Sequence, residues 1–320
     1  MEPITRRELA KRLGIATLAA PAAALGASAP LRGRVALAPL PDRTGGRLDP
    51  ATARRALERA LQASTGAASA PAALAALFRA EDVVGVKLNC LSRASLSPRV
   101  ELVEALAALL REAGLAAERI IVFERSSREL QQAGFTIRRS GGPYHCFGID
   151  GDWDATPSTS GQIGSCFARL VSTTCTALVS FGVVKDHDLA GVSAGAKNWY
   201  GVIHNPNKYH DHNCDPYVAD VLRHPFLAAR IRLTLLDGGT AQCHGGPGYR
   251  PDATFPLGLL AASTDPVACD AWAWRAIDGE RQRRGMPTLA AASRTPRFLA
   301  TAQSYGLGIG TPAQITEVSA

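Results

Sequence analysis

Residues 82–123 read D-V-V-G-V-K-L-N-C-L-S-R-A-S-L-S-P-R-V-E-L-V-E-A-L-A-A-L-L-R-E-A-G-L-A-A-E-R-I-I-V-F. The short β-branched run over 82–88 predicts a buried strand. Ser97-Pro98 predicts a helix start, and Gly114 closes that helix after Ala113. Arg119–Phe123 predicts the next strand. Strand, helix and strand in this order make a parallel unit, because two parallel neighbours need a crossover between them.

The same alternation extends in both directions. Arg34–Leu40 is a candidate first strand, and Asp49-Pro50 opens a helical pattern through Leu61. Pro71–Arg79 continues as helix, and Ser126-Ser127 can cap another. An excursion around 140–165, rich in Gly, Pro, Ser, Thr and Asp, predicts a long loop with little regular structure. Thr176–Val184 returns as a strand and delivers Lys185 and His187 at its end. Ile231–Leu236 is a further strand, delivering Asp237, and Phe255–Ala262 is another. Asp265-Pro266 then opens a helix to about Ile277, with Asp265 most simply its N-cap. The expected fold class is α/β: a mostly parallel sheet with helices on both faces, in one domain over 30–320.

The first 29 residues differ from the rest. Arg6-Arg7 precede a weakly apolar Ala/Leu stretch from Leu13 to Leu25, followed by small residues. This predicts a twin-arginine export signal over 1–29, hence use of the twin-arginine export machinery and a periplasmic or otherwise exported destination. The cleavage point stays open, because Pro30 follows Ala27-Ser28-Ala29. The apolar stretch is too short for a stable membrane span.

The formal charge of the chain is +7. The first 29 residues hold four basic and two acidic side chains, leaving +5 for the remainder. No basic run interleaved with aromatics accompanies it, so no nucleic-acid partner is expected, whereas a small anionic ligand is compatible. The seven cysteines include no C-x-x-C pair, so a conventional iron–sulfur cluster is not expected. In an oxidising compartment one or two disulfides are expected, with pairing left open.

Composition singles out one segment, 181–216, F-G-V-V-K-D-H-D-L-A-G-V-S-A-G-A-K-N-W-Y-G-V-I-H-N-P-N-K-Y-H-D-H-N-C-D-P. It holds three of the five lysines, four of the seven histidines and four of the five asparagines. Elsewhere the chain uses arginine for positive charge. A lysine is a compact, titratable point charge, so retaining it here points to a site. Lys87, Asn89, Lys185 and Lys197 are candidate anion ligands, joined by Asn198, Asp237 and Asp270 for substrate binding. His187, with Lys185 and Lys197, is the candidate acid–base set. The flanking Asp186 and Asp188 would raise the pKa of His187 if they lay close. The alternative is that these lysines form structural ion pairs with Asp186, Asp237 and Asp265.

His210, His212 and Cys214 alternate along Y-H-D-H-N-C-D, so in an extended segment they would point the same way. With His244 they form a candidate transition-metal set suited to zinc, iron or copper. The alternative is a polar loop with a paired cysteine.

Several motifs in order resemble one family: V-G-V-K-L-N at 84–89, K-D-H at 185–187, G-A-K-N-W-Y-G at 195–201, D-G at 237–238, G-G-P-G at 245–248 and S-T-D-P-V-A-C-D at 263–270. The set is similar to the DUF362 family, which has no agreed general function. The resemblance implies a fold and site positions over roughly 80–310, and no reaction. Two functions are expected on these grounds. One is an exported enzyme acting on a small anionic substrate through a Lys/His site; the other is a non-catalytic periplasmic metal- or anion-binding protein.

Overall fold

A computed structural model describes residues 31–320; the expected export signal lies outside them. Eleven strands are formed: β1 (Arg34–Pro39), β2 (Val84–Leu88), β3 (Ile120–Glu124), β4 (His145–Gly148), β5 (Ser158–Ser160), β6 (Ile163–Ser165), β7 (Ala177–His187), β8 (Gly191–Ser193), β9 (Ile231–Gln242), β10 (Thr254–Ser263) and β11 (Thr316–Ser319). Nine belong to one sheet of order β11-β1-β10-β9-β7-β2-β3-β4, with β8 paired to β7. The pairs β2–β3, β2–β7, β3–β4, β7–β9 and β1–β11 are parallel, and β10 runs against both of its neighbours. The sheet is thus mixed and mostly parallel.

Alternation along the strands separates two cores. Val84, Val86 and Leu88 of β2 and Ala177, Val179 and Phe181 of β7 pack on one side, with the helices Pro50–Thr65, Ala70–Leu77 and Val100–Glu112. Ile121, Phe123 and Leu178 face the other side, under the helices Tyr217–Leu222, Pro266–Arg283 and Phe298–Ser304. Both faces are covered, so the central strands read as continuous apolar runs.

Helix entries follow the sequence chemistry. Asp49 accepts from Thr52 N, and Gly66 ends that helix at φ 79°. Asp265 caps the helix Pro266–Arg283 by accepting from Val267 N and Ala268 N, and its other oxygen accepts from Gly33 N and Ile309 N. The expected helix start at Ser97-Pro98 moves to Val100, because Arg99 N donates to Asp237 and Ser97 Oγ donates back to Arg93 O.

Four expectations need correction. The excursion around 140–165 is not wholly irregular: β4 extends the main sheet beside β3, and β5 with β6 forms a separate hairpin. β7 does not stop at Val184 but runs on to His187, six residues beyond its pairing with β2, because β8 folds back on it. β9 passes through Asp237 to Gln242, held by β10. Finally, all seven cysteines are free thiols and six are buried, so no disulfide is formed.

Candidate functional site

The projecting end of β7 forms one wall of a cavity of about 230 Å³ beyond the ends of β2 and β3. This is the edge of an open α/β sheet where loops diverge and ligands fit. The floor belongs to Lys87. Its Nζ donates to Glu124 Oε1 at 2.7 Å, Leu88 O at 2.6 Å and Asn198 Oδ1 at 3.2 Å. Glu124 also accepts from Cys90 N and Arg125 N. Asn198 Nδ2 donates to Lys87 O and Ser180 Oγ, tying the one-turn helix Lys197–Val202 to the strands. Gly201 is required here: a Cβ on it would lie 2.7 Å from both Lys87 Cε and Nζ. Lys87 is therefore a neutralised structural ammonium at the edge of the cavity.

Lys185 is fully buried beneath the lining, where Nζ donates to Asn89 Oδ1 and Ser92 Oγ. Burial brings its pKa down to about 8. Asn89 itself lines the cavity. Lys185 thus orients Asn89 and adds a positive field, without touching the cavity.

Lys197 does line the cavity. Its Nζ lies 3.1 Å from His210 Nε2 and 4.3 Å from the centre of the Tyr200 ring. Among the described residues no carboxylate stands within ion-pair distance of it. Burial brings its pKa down to about 8. His210 Nδ1 is 2.9 Å from Pro206 O, so Nδ1 carries the proton and Nε2 accepts from Lys197. Burial, followed by the Lys197 charge, holds His210 near 4 and therefore neutral.

His187 stacks on His210 with ring centres 5.4 Å apart. Its Nδ1 accepts from Leu189 N and Ala190 N, which places the proton on Nε2. Burial, followed by the Lys197 charge, drives its pKa far below the ordinary value, opposite to the rise expected from Asp186 and Asp188. The reason is alternation along β7: Asp186 points away to Arg294 and Gly246 N, and Asp188 is exposed. With Nδ1 capped and Nε2 protonated, His187 is a neutral hydrogen-bond donor, not an acid–base group.

Asp237 and Asp270 are corrected as substrate ligands. Asp237 is fully buried inside β9, where Arg99 grips both of its oxygens and Arg43 adds a third contact. Asp270 is the fifth residue of the helix Pro266–Arg283, and its Oδ1 accepts from Ala196 N at 2.7 Å. Burial raises its pKa to about 7, and its Oδ2 has no partner. It holds the turn before Lys197 rather than lining the cavity.

The four candidate metal ligands do not converge. The segment His212–Cys214 is a tight turn with φ 51°, 60° and 60°, not extended chain, so the alternation that would align its side chains is lost. His212 is exposed, Cys214 is buried against His210 O, and His244 sits on the β9–β10 connection. Among the described residues no group of three or more His, Cys, Asp or Glu side chains is placed to hold a metal.

Sequence reading missed Glu124, Arg125 and Glu129, which add charged groups to the lining. Glu124 ends the apolar strand β3, as Lys87 stands one residue before the end of β2, which was the available signal. Arg125 donates to His204 O from the rim and has no ion-pair partner among the described residues. Burial, followed by Glu124, raises the pKa of Glu129.

A family model described as "Domain of unknown function (DUF362)" matches residues 84–275, which include every lining residue named above. No curated protein matches the chain. A solved structure of a protein from Thermotoga maritima is similar at 11% identity and a TM-score of 0.40, covering 68% of this chain. The chain spans 58% of that protein's length.

Proposed function

Because the chain belongs to the DUF362 family, whose description names no reaction, we propose from the cavity's own chemistry that it is an enzyme for a small anionic substrate. The observation that carries this reading is the Lys197 amine, buried and lining the cavity, opposed by a histidine lone pair and an aromatic face instead of a carboxylate. A buried cation without a counter-charge is costly, and an incoming anion relieves that cost. Arg125 adds a planar, permanently charged fork at the rim. His187 Nε2–H and Asn89 supply neutral polar groups for orientation. Lys197, with a pKa near the working pH, can give up and regain a proton during turnover. Arg6-Arg7 and the apolar stretch after them support an exported, periplasmic setting.

The test is calorimetric titration with small anions (oxalate, phosphate, acetate), wild type against Lys197→Met, followed by recovery of each bound metabolite. Binding by wild type, lost in the variant, with a metabolite returned chemically changed, supports the proposal. A metabolite returned unchanged converts it to an anion-binding protein. Binding equal in both proteins removes Lys197 and the reading with it.

A further inference from the structure

The surroundings of Lys197 say more than that the site takes an anion. Of the described lysines, Lys87 is consumed by Glu124, Lys185 lies behind the lining and Lys208 is exposed. Among the described lysines, Lys197 alone combines burial, access to the cavity and the lack of a carboxylate within ion-pair distance. Its hydrogen-bond partner is a fixed acceptor. The Nδ1 of His210 is occupied by Pro206 O, so only the Nε2 lone pair faces the amine. An amine next to an acceptor, in a site that contains other positive charge, is an activated nucleophile. The His187 Nε2–H, in the same lining, is a neutral donor that keeps its proton, suited to an oxygen that gains charge.

We infer that Lys197 forms an imine with the carbonyl of a small oxo acid whose carboxylate is held by Arg125. The inference rests on the anion-site reading above. The ammonium first releases one proton to solvent; the freed Nζ lone pair attacks the carbonyl carbon and a C–N bond forms. The carbonyl π pair moves onto oxygen, which accepts from His187 Nε2–H. The C–O bond then breaks, and both amine hydrogens leave with that oxygen as water, one of them relayed through His210 Nε2. The product is a C=N bond between Lys197 and the substrate, with no change of oxidation state. Arg125 suits the carboxylate because its planar fork matches two oxygens. The cavity, of about 230 Å³, has room for such a small oxo acid.

The full chain is incubated with glyoxylate or pyruvate and cyanoborohydride near neutral pH, and the reduced adducts are mapped by peptide mass spectrometry. The exposed Lys208 serves as the internal reference. The expected result is one adduct per chain, on Lys197 ahead of Lys208, slowed by oxalate and lost in Lys197→Met. His210→Ala, checked for an unchanged melting temperature, is expected to slow labelling of Lys197 without affecting Lys208. Labelling of Lys197 no faster than Lys208 overturns the imine. Oxalate titration separates the two failures. If oxalate binds and Lys197 is not trapped, the anion site stands and the imine falls; if oxalate neither binds nor protects, both fall.

Discussion

Two buried clusters in this molecule handle charge in opposite ways. Around Asp237, two guanidiniums and two backbone N–H groups close on one carboxylate, and nothing there is left for a ligand. Around Lys197, one ammonium faces a neutral imidazole, a ring and a cavity. Sequence alone gives both residues the same standing, as candidate groups for binding an anionic substrate. The structure separates them by whether the counter-charge comes from the chain or has to arrive. A saturated cluster holds the fold, and an unsaturated one is available for function.

The largest expected effect comes from breaking the saturated cluster. Asp237→Asn leaves Arg99 and Arg43 buried against a neutral amide. The loss expected for a broken buried pair is about 3–5 kcal/mol of folding free energy. Urea unfolding checks this. A loss below about 1 kcal/mol would show that the two guanidiniums find other partners, and the contrast between the clusters would fail.

Lys197→Met is the reciprocal change. It is expected to leave stability unchanged or raise it, since a buried unpaired cation is removed, while anion affinity falls by about ten- to a hundredfold, the worth of one charged hydrogen bond. The melting temperature and the calorimetric dissociation constant read the two effects separately. A variant that both melts early and binds normally would invert the comparison.

Gly201→Ala sharpens the boundary between the clusters. The added Cβ meets the Lys87 ammonium, which is the far end of a side chain but one pinned by three acceptors. Overpacking of this kind costs about 1–3 kcal/mol. The expected pattern is partial destabilisation with weakened ligand binding, because Lys87 and Asn198 link the floor to the Lys197 helix. Thermal unfolding with and without ligand measures it, and a neutral outcome would mean that the floor can shift without disturbing Lys197.

The comparison also shows what the sequence could tell. Apolar runs mark the central strands well, because burial on both faces leaves a continuous signal at 84–88, 120–123 and 177–184. They do not mark where β7 and β9 end. Pairing continues through K-D-H and D-G-G-T-A-Q after hydrophobicity stops, since β8 and β10 supply hydrogen-bond partners that no local pattern records. β4, only four residues long, falls below any periodic signal. Lys197, His187, His210 and Asn198 were legible as a compositional enrichment, and Asn89 as the polar residue that follows an apolar strand. Glu124, Arg125 and Glu129 were not, because acidic and arginine residues are ordinary in this chain. His212 and Cys214 were misread because a left-handed turn replaces the extended backbone that the spacing assumes.

The smallest effect is the dependence on pH, and it tests the unsaturated cluster most directly. Burial holds Lys197 near 8, against 10.5 for an ordinary lysine. Below pH 8 both folded and unfolded chains carry the proton, and the folded state bears the full cost of the buried charge. Between about 8 and 10.5 the unfolded chain keeps its proton and the folded chain has lost it, so this lysine makes stability rise with pH. Lys185 shifts in the same direction, so Lys197→Met should retain part of that rise. Anion affinity runs the opposite way. Once the ammonium is lost, binding should weaken above pH 8, by at most about tenfold per pH unit for a single proton. Calorimetry at pH 7, 8 and 9 in buffers of different ionisation enthalpy measures both the affinity and the proton taken up. A flat affinity with no uptake would move the anchor to Arg125 at the rim of the cavity. Lys197 would then act only as the reactive amine.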